Sequence, residues 1–129
     1  INDNSFNEAI KNALNEIMVV DTILVSDSTK RALLDVRELI YVESLGEGCC
    51  FYTNTSKYIR NEPLKYWIDR LPKKEFIQTH RAFVINIRYI TNIEPNIVNM
   101  KNGSRVPVSV RRRKALNYAL HQYLRRKLC

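Results

Sequence analysis

Phe76-Ile77-Gln78-Thr79-His80-Arg81-Ala82-Phe83-Val84-Ile85-Asn86 is the stretch on which the reading of this chain turns. Its β-branched and aromatic residues suit a pleated, half-buried surface, and Phe76 to Ile87 is predicted to be strand. His80 and Arg81 stand just before the apolar Phe83-Val84-Ile85 run, which puts them at a strand start or loop edge. An arginine there can pair its fork with guanine or clamp a phosphate, or be an ordinary surface arginine. His80 can donate to phosphate or pack as a satisfied structural histidine.

Downstream, Tyr89 to Ile93, Ile97 to Met100 and Ser104 to Pro107 read as further short strands with polar breaks. Asn102-Gly103 is a hairpin signal, because both residues tolerate positive φ. From Arg111 onward the chain reads as helix, with Leu116, Leu120, Leu124 and Leu128 recurring every fourth residue. Upstream, Glu62 to Leu71 is predicted helical: Asn61 can cap it, Pro63 suits the first turn, and Leu64, Trp67, Ile68 and Leu71 share a face. Before it lie strand candidates at Thr22 to Val25, Arg31 to Leu34, Leu39 to Glu43, Cys50 to Thr53 and Lys57 to Arg60. The breaks between them are Ser26-Asp27-Ser28, Gly46-Glu47-Gly48 and Asn54-Thr55-Ser56. Tyr41, Tyr52, Trp67 and Phe83 are expected in the core.

Ser5 to Met18 reads as an amphipathic helix, with Ser5 and Glu8 at capping-box spacing and Phe6, Ala9, Ile10, Ala13, Leu14 and Ile17 on one face. Residues 1–20 are therefore expected to form a linker helix and residues 21–129 the main domain. The order is helix, many short strands with one helix inserted, then helix. That rhythm implies a mainly β, antiparallel architecture and not βαβ units.

At 45% hydrophobic and 26% charged residues, the composition is that of an ordinary soluble globular protein. No stretch approaches the roughly 18 apolar residues of a membrane span, and no secretory signal is visible. Ile1 is not an initiator methionine, so the chain reads as a piece of a longer protein. Three cysteines, Cys49, Cys50 and Cys129, show no metal-ligand spacing. They read as reduced thiols of a cytoplasmic protein; a redox role for Cys49 or Cys50 would need an electropositive, exposed setting. The formal net charge is +8, which favours a polyanionic partner. Much of it lies late in the chain, in Arg111-Arg112-Arg113-Lys114 and Arg125-Arg126-Lys127. A solvated helix face is the plain alternative.

Two stretches carry a family resemblance: the one quoted first, with Ile90 after it, and Asn102-Gly103-Ser104-Arg105-Val106-Pro107-Val108-Ser109-Val110-Arg111. The chain resembles the LytTR family, whose members carry a phenylalanine before a His-Arg-Ser element, an aliphatic-Val-Asn stretch, isoleucines, an Asn-Gly turn and a Pro-Val-Ser-like strand ending in arginine. Leu39-Ile40-Tyr41-Val42-Glu43-Ser44 looks like the family's Ile-x-Tyr-Ile-Glu strand, and the helix with Leu64, Ile68 and Leu71-Pro72 sits where the family has one. The resemblance covers about Thr22 to Leu120. Alanine stands at Ala82 where serine is usual, and glutamine at Gln78 where arginine is common.

The resemblance implies an elongated stack of small antiparallel sheets that binds double-stranded DNA through loops entering successive major grooves. It implies an output domain behind a phosphorylatable receiver domain and its sensor kinase, dimeric on promoter repeats, needing no cofactor. Several members serve peptide-pheromone (quorum-sensing) circuits, and the chain looks closest to those. Carried over residue by residue, His80, Arg81 and Arg111 become candidate DNA contacts, with Arg81 and Arg111 at base edges. Arg112, Arg113 and Lys114 become candidate phosphate contacts. The loop Leu45 to Cys49 matches another DNA-facing loop and adds Gly48 and Cys49, where glycine allows close backbone approach. Lys57 and Arg60 are offered as phosphate contacts on the nearby strand, or as solvated strand charges.

Neither His80 nor His121 has an acid that forms an evident dyad, and there is no glycine-rich phosphate loop or nucleophile elbow. No catalytic or metal residue is assigned, and the chain is not expected to be an enzyme. A basic RNA-binding module or a protein-interaction module is the alternative. Against RNA, the aromatics fall at core positions and not on an exposed basic sheet face. A pure interaction module leaves the charge unexplained.

Overall fold

The structure is a computed structural model that describes residues 19–128; the expected helix over Ser5 to Met18 lies outside them. The described residues build ten strands: β1 (Thr22–Ser26), β2 (Arg31–Asp35), β3 (Tyr41–Leu45), β4 (Gly48–Tyr52), β5 (Lys57–Arg60), β6 (Phe76–His80), β7 (Phe83–Asn86), β8 (Ile90–Glu94), β9 (Ile97–Met100) and β10 (Arg105–Pro107). Two α-helices are described, α1 (Leu64–Arg70) and α2 (Arg113–Leu128). One sheet has seven strands in the order β2-β1-β5-β4-β3-β7-β6, the other three in the order β10-β9-β8. Every pairing is antiparallel, as the short-strand rhythm predicts.

The large sheet is buried on both faces at its centre. Side chains alternate across a strand, so Val42 of β3 and Val84 of β7 join one core with Phe51, Leu64 and Trp67. Their neighbours Tyr41 and Ile85 join a second core with Val98, Met100 and Val106 of the small sheet and Leu116 of α2. Tyr41 and Tyr52 stack with ring centroids 4.3 Å apart, and Phe51 meets Trp67 edge-on at 5.1 Å.

Three sequence expectations are corrected. Phe76 to Ile87 is a hairpin and not one strand: β6 and β7 fold back at Arg81-Ala82, with a register shift between Gln78 and His80. α1 is shorter than expected. Its N-cap is Pro63, without a side-chain cap bond; Glu62 pairs instead with Arg60 at 2.6 Å. The hairpin expected at Asn102-Gly103 forms between β9 and β10, with only Gly103 at positive φ, 89°. The Gly103 amide donates to the Met100 carbonyl, and Asn102 Oδ1 accepts from the Ser104 amide. The C-terminal helix begins as a 3-10 turn over Val110–Arg112, and of its leucine repeat only Leu116 is core. The Val20 amide donates to the Arg70 carbonyl at 2.9 Å, which ties the chain before β1 to the end of α1.

Candidate nucleic-acid interface

Hydrogen bonds gather three separate segments at one end of the large sheet. The β3–β4 turn (Gly46-Glu47) and the β6–β7 turn (Arg81-Ala82) are neighbours because β3 pairs with β7, Glu43 opposite Phe83. The Ser44 amide extends that ladder, donating to the Ala82 carbonyl at 2.8 Å. The third segment arrives from β10: the Ser109 amide donates to the Thr79 carbonyl at 2.9 Å, so the turn Val110–Arg112 starts beside the end of β6.

The β6–β7 turn is held by its own side chains. His80 Nδ1 accepts from the Ala82 amide at 3.1 Å. The neutral imidazole therefore carries its proton on Nε2, which leaves that nitrogen a donor. The ring rests edge-on against Phe83 at 5.8 Å. Gln78 Nε2 reaches the Arg81 carbonyl at 3.4 Å. Ala82 thus acts through its backbone, both groups paired, and Gln78 supports the loop from within.

Arg81 and Arg111 are exposed on this edge. Among the described residues the ion pairs are Arg37–Asp35, Arg60–Glu62 and Arg105–Glu94; neither edge arginine is engaged in one. Two unpaired guanidiniums on converging turns can each present a bidentate fork to a base edge or a phosphate. Arg112 is half-buried at the same turn, and Lys114 is exposed one residue into α2.

The other expected contacts do not join this edge. Cys49 is 1% exposed within the first core; burial, then Glu62 and Cys50, pushes its thiol up to about 11. It has no surface for DNA and little thiolate for redox chemistry. Gly48 is a packing position: a Cβ there would lie 2.4 Å from the Arg60 carbonyl oxygen. Lys57 stands opposite Tyr52 and Arg60 opposite Cys49, which puts Lys57 about 15 Å along the ladder from the β3–β4 turn. Arg60 is spent internally. It pairs with Glu62, donates to the Leu24 carbonyl at 2.6 Å and lies 5.2 Å from the Trp67 ring centre. Arg113 is half-buried and ties α2 to Asn96 in the β8–β9 turn.

Sequence reasoning missed Ser44, Thr79 and Ser109, which work through backbone groups. It also missed Asn86 as a strut. Asn86 is 2% exposed, its Nδ2 donates to the Leu39 carbonyl at 2.9 Å, and its Oδ1 accepts from the Arg88 amide. Its place in the quoted Phe-Val-Ile-Asn run was the available signal.

No helix among the described residues is long and apolar enough to cross a membrane. The family model described as the LytTr DNA-binding domain matches residues 29–121. The sensory transduction protein LytT of Bacillus subtilis is 33% identical over 95 residues, covering 69% of this chain and 39% of that protein. The transcriptional regulatory protein YpdB of Escherichia coli K12 is 25% identical over 107 residues, covering 78% of this chain and 44% of that protein. The chain thus spans less than half the length of these relatives. Among solved structures, the LytTr DNA-binding domain of a Bacillus cereus response regulator superposes with a TM-score of 0.73 at 23% identity, over 78% of this chain and 97% of that one, a likeness of fold. With its sheet order, its converging turns and a match over most of its length, the chain belongs to the LytTr DNA-binding domain family.

Proposed function

We propose that the chain reads double-stranded DNA as the output domain of a two-component transcription regulator. The observation that carries this reading is the convergence of the β6–β7 turn and the β10–α2 junction on one edge, each presenting an exposed arginine, Arg81 and Arg111. In this reading Arg81 and Arg111 enter grooves and fork onto base edges. His80 donates from Nε2 to a phosphate, and the exposed Lys114 meets the backbone. The formal charge of +8 draws the duplex in and makes binding salt-dependent. A receiver domain answering a sensor kinase, dimeric binding to promoter repeats and a place in a peptide-pheromone circuit complete the reading; their support is the motif resemblance.

Titration of duplex DNA and of single-stranded RNA of the same sequence tests it. Duplex is expected to bind tighter. With about six phosphates neutralised, log K should fall with log salt at a slope near −5. RNA preference, or affinity indifferent to salt, overturns the reading.

A further inference from the structure

Beyond the two turns, α2 doubles back along β6. Its start is fixed where Ser109 meets Thr79, and its far end where Arg126 Nη2 donates to the Lys74 carbonyl at 2.5 Å. Because β6 is an edge strand, a groove of about 750 Å³ opens between helix and strand, floored by Ile77, Ala115 and Ala119. Lys73 and Lys74 rim one end, Arg111 and Lys114 the other, and no acidic side chain lines it. Small alanines on the helix leave room above the strand, with Gln122 and the exposed Tyr118 beside them. None of these four cations is in an ion pair among the described residues. With Arg126, which also lines the groove, five like charges without an acidic neighbour in its walls favour a polyanion there.

We infer that this groove is a track for the DNA backbone outside the bases read by Arg81 and Arg111, with Lys73 and Lys74 holding phosphates of the flank. This rests on the DNA-binding reading above and extends it. Arg111 belongs to both surfaces, which makes the track continuous with the reading edge. A helix of 16 residues is about 24 Å long, so a backbone following it meets several phosphates beyond the contacts at its start. Such contacts position without specifying sequence.

The test begins with a duplex selected by this chain from a random-sequence library. It is prepared in two lengths: the enriched core alone, and the core with about ten more base pairs on each side. The wild-type chain should bind the longer duplex more tightly and with a steeper salt slope. K73Q/K74Q should lose that gain, its slope on the long duplex falling by about two units. On the core duplex it should bind like wild type, and its thermal unfolding should be unchanged, since both lysines are exposed. If the variant keeps the flank gain, the track is wrong while the DNA-binding reading stands. If selection enriches no duplex at all, both fall together.

Discussion

The backbone amide of Ser109 donates to the carbonyl of Thr79 across 2.9 Å, and that bond couples the two arginine-bearing segments. Thr79 precedes His80 and Arg81; Ser109 is two residues before Arg111. Residues about thirty apart in sequence are thereby held in one frame, so their side chains can address neighbouring parts of a ligand. Positional precision of this kind is what base readout demands.

Removing the coupling should separate folding from reading. Ser109 has φ −71° and ψ 149°, which proline adopts without strain while losing the N–H. S109P is expected to fold, with about 1 kcal/mol less stability. Its preference for a selected duplex over a scrambled one should drop several-fold, with general duplex affinity held. Undiminished preference would show that the coupling does not position the site.

Gly48 offers a different separation. A Cβ there meets the Arg60 carbonyl oxygen at 2.4 Å, a backbone atom in the β4–β5 ladder. G48A should lose roughly 1–3 kcal/mol in urea unfolding, while duplex affinity measured well below the midpoint stays as in wild type. Full stability with weakened binding would return Gly48 to the DNA-facing set.

The Arg60–Glu62 pair sets a pH dependence. The Arg60 guanidinium beside Glu62 holds its carboxyl below the ordinary 4.5, so the folded chain binds that proton more weakly than the unfolded one. The stabilisation is therefore full above pH 4.5 and is lost as pH falls through the lowered folded value. E62Q should cost on the order of 1 kcal/mol near neutrality, and the gap to wild type should close in acid. A gap that stays constant into acid would mean the carboxylate's charge is not what stabilises.

Much of this was legible in the sequence, for identifiable reasons. The antiparallel class and the places of most strands followed from short β-rich runs with polar breaks. The β6–β7 hairpin did not, because Val84 and Ile85 are buried on opposite faces, which erases the alternation that marks a strand's ends, and the turn is only two residues long. Arg81 and Arg111 stood out at motif edges. Cys49 was misplaced because sequence near a turn does not say which way a strand residue faces. Arg113 was misjudged because its partner, Asn96, is supplied by another sheet. The lysines after Pro72 read only as a helix stop; their part in a groove depends on the path of α2, which no local pattern records.

The claim that Arg81 and Arg111 read bases is tested most directly by titrating R81A and R111A against a selected duplex and its scrambled counterpart at two salt concentrations. Each variant is expected to lose about 1–3 kcal/mol on the selected duplex and to relax preference at one position. Lys114→Ala should instead weaken both duplexes alike and lower the salt slope by about one unit. If R81A and R111A leave the selected-to-scrambled ratio unchanged, the arginines do not read bases, and the account of this edge is contradicted even in a chain that still binds DNA.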